Sequence, residues 1–160
     1  MEATKKASKI RDIRVIEHHL RNYRTYKAGI KNLQRQLDFI MPNVTATYGV
    51  DMEGSTGTFD VSSKVEKIAI DRIEGKRALD LHEDIRQYEI IIESIDIALE
   101  EVEETEQEFI ENRYFEGRTV KETSIEMGYG EKHIFNVRNR LFNKLLISLR
   151  SIVNLSIGSA

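Results

Sequence analysis

Lys132, His133, Asn136, Asn139, Arg140 and Asn143 fall on one side of a helical segment whose other side is Ile134, Val137, Leu141, Leu145 and Leu149. That collection of polar types has a chemistry in common. An asparagine amide pairs bidentately with adenine, lysine and arginine reach guanine edges or phosphates, and an α-helix fits the major groove of duplex DNA. An ordinary solvated helix face mixes Glu with Lys. This one carries a single acid, Glu131, at its start, where it suits the helix dipole. Lys132, His133, Asn136, Asn139 and Arg140 are therefore the candidate base-reading residues, with a capping or merely solvent-facing role as the alternative for His133. Arg118, Thr119 and Lys121, near the start of the preceding helix, and Asn143 and Lys144 are the candidate phosphate contacts, which add affinity and salt dependence but no choice of sequence.

Catalytic chemistry has little to stand on. His18 and His19 adjoin, while His82 and His133 are isolated, and none has a partner at a metal-ligand spacing. No phosphate-cradling glycine loop, nucleophile elbow or paired-carboxylate arrangement occurs. The glutamates at 100, 101, 103, 104, 106 and 108 read as a solvated face. With no cysteine in the chain, disulfides, thiolate metal sites and cysteine nucleophiles are excluded. The sequence reading expects no enzyme, no cofactor and no metal.

The elements that must present the polar face are legible nearby. Thr105-Glu106-Gln107-Glu108 and Thr119-Val120-Lys121-Glu122 both have the capping-box form, in which a threonine oxygen and a glutamate three residues on exchange hydrogen bonds with backbone amides. The second box opens a helix of about nine residues that ends at Met127-Gly128, with Gly128 placed for a left-handed cap. After Gly128-Tyr129-Gly130 a longer helix runs from Glu131 to about Arg150. A short helix, a tight glycine turn and a longer basic helix make a helix-turn-helix.

Two long amphipathic segments precede it. Ile13, Ile16, Leu20, Tyr23, Lys27, Ile30, Gln34, Leu37 and Met41 form one stripe, which Pro42 should end because it lacks an amide donor and crowds the preceding turn. Gly, Ser and Thr crowd the next stretch, so 42–60 reads as a flexible connection. Ala78, Leu81, Ile85, Tyr88, Ile92, Ile95, Leu99 and Val102 then alternate three- and four-residue steps, a seam spanning more than three heptads. The resulting expectation is an all-α protein: a long antiparallel helical hairpin or coiled coil followed by a C-terminal helix-turn-helix. Its segments are 1–41, 42–60, 61–103, 104–153 and a tail at 154–160. Leu81, Ile85, Tyr88, Ile92, Ile95 and Leu99 are assigned to oligomerisation, a dimer being preferred and Ile40, Ile70 and Ile91 adding further apolar positions. A purely intramolecular bundle is the competing reading.

Charge is divided unevenly over the 160 residues, whose formal total is −3. Met1 to Ile40 holds ten Lys/Arg against four Asp/Glu; Asp80 to Glu116 holds fourteen acids against two arginines; Arg118 to Arg150 holds seven Lys/Arg against three Glu. Local potential governs docking more than the total does, so a mildly acidic chain can carry a basic, phosphate-seeking end. No window is apolar enough for a membrane span, and the basic N-terminus lacks the apolar stretch of a secretion signal. A reducing cytoplasm is expected.

The run from Phe109 to Thr119, followed by Glu122, Met127-Gly128-Tyr129 and Lys144-Leu145, resembles the C-terminal region-four domain of sigma factors. The layout of the whole chain, with Gly57-Thr58-Phe59-Asp60 before Val65-Glu66-Lys67, is similar to the ArpU/RinA-type phage transcriptional regulators. The C-terminal likeness covers about forty residues, and the remainder is shared layout more than motif. The resemblance implies a DNA-binding activator of phage late genes that acts upstream of a promoter and engages host RNA polymerase. Base-reading positions carried over from region four fall on Glu131, Lys132, His133 and Asn136. Glu131 stands where sigma factors commonly have arginine and Gly130 where they have a Ser/Thr cap. No region two is recognisable, so the chain should not act as a complete sigma factor. A small terminase subunit, also a helix-turn-helix joined to oligomerising helices, is the first alternative, and a helical protein-interaction module the second.

Overall fold

The structure is a computed structural model describing residues 2–48 and 61–155. Among the described residues there is no strand, and the protein is all-α, as expected. Helix α1 spans Glu2–Tyr48 and α2 spans Val61–Glu100. The C-terminal part contains α3 (Glu104–Ile110), continued by a π-helical turn over Glu111–Phe115, then α4 (Val120–Glu126), α5 (Glu131–Ser148) and α6 (Arg150–Val153). No described helix is long and apolar enough to cross a membrane.

Helix α1 does not stop at Pro42. It continues to Tyr48, so the break expected at 41 is corrected. Proline removes one amide donor and crowds one carbonyl, but a helix can pass through it when the turns on either side keep their own bonds. Of the connection expected over 42–60, residues 49–60 lie outside the described residues, as does the tail from 156 onward.

The compact units do not follow the segments read from the sequence. One unit is Ala28–Tyr88, and the other joins Met1–Lys27 to Glu89–Ala160. In the first, the later part of α1 packs on the earlier part of α2. Leu37, Ile40, Ala78, Leu81 and Ile85 form its core, with Ile30 and Leu33 packed against it. Gly29 of α1 lies beside Tyr88 of α2, and Ile40 shares a groove with Glu74 and Arg77. The two helices therefore run antiparallel.

In the second unit the core is built from four stretches of chain. Ile16, Leu20, Tyr23 and Tyr26 come from α1, and Ile91, Ile92, Ile95 and Ala98 from α2. Phe109, Ile110 and Tyr114 come from α3 and the π turn, and Ile134, Val137, Leu141, Phe142 and Leu145 from α5. Leu149 and Ile152 close it. Each buried aliphatic or phenyl side chain here contributes roughly 1.5–3 kcal/mol.

The heptad seam is thus consumed inside one chain. Leu81, Ile85, Ile92 and Ile95 are buried, and Tyr88 and Leu99 are partly so. Ile40 and Ile91, expected to face a partner chain, are buried as well, whereas Ile70 is exposed. Periodicity marks a face that must be covered without saying by what. α1 supplies a matching stripe in the same chain.

Candidate nucleic-acid interface

The polar face of α5 is positioned by three local devices. The first lies between the π turn and α4. Glu116 N donates to Glu111 O at 2.8 Å, an i→i−5 bond that widens the last turn and buries Asn112 and Tyr114. Asn112 donates to Glu108 O at 3.0 Å, and its Oδ1 accepts from the Arg118 guanidinium. Arg113 donates to Arg118 O at 2.8 Å, and Gly117 takes the left-handed conformation (φ +71°) that lets the chain reverse.

The second device is the start of α4, which is the capping box read from the sequence. Glu122 N donates to Thr119 Oγ1 at 3.2 Å, and Thr119 N donates to Glu122 Oε2 at 2.7 Å. The backbone and hydroxyl bonds from Thr119 hold the Glu122 carboxyl below its ordinary range. The other box is corrected: α3 is capped at Glu103, two residues before Thr105. Glu106 reaches back to accept from Glu103 N at 3.0 Å, so Glu106 takes the part expected of Glu108.

The third device is the turn into α5. Gly128 has φ +69°, its amide donates to Ile125 O at 3.2 Å, and Tyr129 N donates to Ser124 O at 3.0 Å. These bonds satisfy the last carbonyls of α4 and set the direction of α5. α4 has seven residues, and α5 stops at Ser148, two residues short of the expected end.

On α5, Lys132, His133, Asn136, Asn139, Arg140 and Asn143 are all exposed, opposite the buried stripe of Ile134, Val137, Leu141 and Leu145. The His133 ring lies 4.6 Å from that of Tyr129 at the start of the helix. Arg140 approaches Glu103 only at 3.9 Å, and an exposed pair at that separation contributes little, so the guanidinium can swing outward.

The candidate phosphate contacts divide. Lys121 is exposed near the start of α4. Thr119 is occupied as the cap, and Arg118 is half-buried, held by Asn112 and by Glu126 at 3.2 Å. Lys144 points the other way: its ammonium donates at 2.7 Å to Glu106, which is fully buried, and at 3.3 Å to Glu103. Those bonds raise the Lys144 pKa, chiefly through Glu106, despite some desolvation. Arg118 and Lys144 therefore hold the interface in shape. Asn143 accepts from Lys9 of α1 at 3.0 Å.

Residues that sequence reading passed over fasten α5 from behind. Glu17 of α1 accepts from Tyr114 at 2.8 Å and from Arg138 at 2.9 Å, and the Arg138 guanidinium lies over the Phe142 ring at 4.9 Å. Burial works against the Glu17 carboxylate, but the bonds and charge of Arg138 and the Tyr114 hydroxyl outweigh it, so its pKa ends lowered. Burial, reinforced by Glu17, pushes the Tyr114 pKa up. Nearby, Arg24 of α1 pairs with Glu111 at 2.7 Å and Glu116 at 3.0 Å, and Tyr23 stacks on Phe115 with centroids 4.8 Å apart. Arg138 sits between the polar and apolar faces of α5, a flank position that suggests a side-on partner. Nothing in the sequence names Glu17 as that partner.

Among the described residues, no group of three or more His, Asp or Glu side chains could hold a metal ion. No protein-family model, curated protein or solved structure matches the chain.

Proposed function

We propose that this chain is a sequence-specific, double-stranded DNA-binding transcriptional regulator of the ArpU/RinA type. In this reading it activates late phage genes by binding upstream of a promoter and engaging host RNA polymerase. The observation that carries the DNA-binding reading is the α5 face. Lys132, Asn136 and Asn139 follow one another at successive turns with Arg140 beside them, all exposed, on a helix braced by α4 and a tight glycine turn. Amide and cationic groups at that spacing suit base edges in the major groove. The activating role and the polymerase contact rest on the resemblance of the Phe109–Thr119 run and of the overall layout.

The test is operator selection from a random duplex pool, followed by titration of variants on the selected site. Asn136→Ala and Lys132→Ala should each weaken specific binding by roughly 1–3 kcal/mol and relax preference at one or two positions, while leaving thermal unfolding unchanged. If both variants bind the selected site as tightly as wild type, α5 does not read bases through this face.

A further inference from the structure

The basic block at the start of the chain does not stand apart from α5. Lys9 is 134 residues from Asn143 in sequence, yet its ammonium donates to Asn143 Oδ1 at 3.0 Å. That places a cation from α1 at the end of the stripe that begins with Lys132. At 1.5 Å per residue, Asn143 lies roughly 16 Å along α5 from Lys132. The major groove is roughly 12 Å wide, so a helix seated in it by its first turns has the bordering phosphates within that reach. No acid occurs in α5 after Glu131.

Behind this pair runs an open groove of about 460 Å³ between the start of α1 and the α5–α6 junction. Lys9, Arg11 and Arg150 line it against one acid, Asp12, which Arg11 approaches at 3.4 Å. Ser8 and Asn154 add neutral polar groups, and Leu146 and Val153 its apolar lining. Cations from two distant stretches of chain converge on a surface continuous with the reading stripe.

We propose that the start of α1 is a second phosphate-binding element, in which Lys9, the Asn143 amide it braces, and Arg150 grip the sugar-phosphate backbone of duplex DNA. The proposal rests on the DNA-binding reading above and adds affinity to it without sequence choice.

The experiment measures the observed binding constant of the full chain against potassium chloride concentration, on a selected operator and on a 30-base-pair duplex of scrambled sequence. Each phosphate contact contributes about 0.9 to the logarithmic salt slope. Lys9→Ala and Arg150→Ala should each flatten the slope by about that amount on both duplexes, and Lys9→Arg should restore it. The advantage of wild type over Lys9→Ala should then shrink roughly three- to fourfold between 50 and 200 mM salt. Salt-dependent binding by wild type with unchanged slopes in both alanine variants overturns the proposal and leaves the α5 reading intact. Absence of binding to either duplex overturns the underlying reading, and the proposal with it. A Lys9→Ala chain that loses inorganic phosphate binding, followed by amide chemical shifts, while keeping its salt slope marks the groove as a free-anion site and also overturns it.

Discussion

Glu17 shows how one side chain can carry a disproportionate share of the fold. It accepts hydrogen bonds from Tyr114 and Arg138, which lie on different elements, and is largely shielded from water. Bonds to charged groups contribute roughly 1.5–3 kcal/mol each, and part of that is lost where water can replace them. Glu17→Ala should therefore destabilise the protein by about 2 kcal/mol near neutral pH, read from the urea midpoint at constant slope. Because the folded-state pKa of Glu17 is lowered, its contribution is present above the ordinary value of 4.5 and fades as pH falls through the folded value. The difference between wild type and Glu17→Ala should shrink accordingly below pH 4.5. A difference that stays constant down to pH 3 would show that the carboxylate charge is not what matters there.

At the scale of elements, Thr119 and Glu122 set the start of α4, and their reciprocal bonds involve only residues three apart. Replacing the threonine with alanine should cost about 1 kcal/mol, with Thr119→Asp recovering most of it, as measured by thermal unfolding. Locality also explains why this cap was legible in the sequence. The α3 cap was misplaced by two residues because Glu103 takes a position where threonine is a commoner signal. The exposed and buried faces of α5 followed directly from its three- and four-residue steps. Pro42 misled because a proline forbids one bond and not a helix, and the sequence contains no statement of how the neighbouring turns compensate. The π turn at Glu111–Phe115 left no trace in the pattern, since it ends its helix and no further apolar turn follows to record the shift of phase.

At the scale of the molecule, sequence order and spatial order part company. The residues that brace the helix-turn-helix come from α1, through Glu17, Tyr23, Arg24 and Lys9, and no periodicity can announce a partner more than 70 residues away. For the same reason a heptad seam does not say which stretch of chain will cover it. A fragment of residues 89–155 lacks Ile16, Leu20 and Tyr23, three core side chains of this unit, and so small a domain has little stability in reserve. That fragment should show weak, non-cooperative thermal unfolding by circular dichroism, and adding a peptide of residues 2–27 should restore a cooperative transition. A fragment that unfolds cooperatively on its own would mean that α1 decorates this unit and does not complete it.

The bond between Glu17 and Arg138 spans 121 positions of the chain. A ribosome adding roughly 5–20 residues per second needs about 6–24 s to make the second partner after the first. Throughout that interval the apolar stripe of α1 has been synthesised and the part of its cover that α5 supplies has not. The beginning of this protein is thus born early and finished last, and Ile16, Leu20 and Tyr23 wait for the last of their core neighbours until α5 emerges.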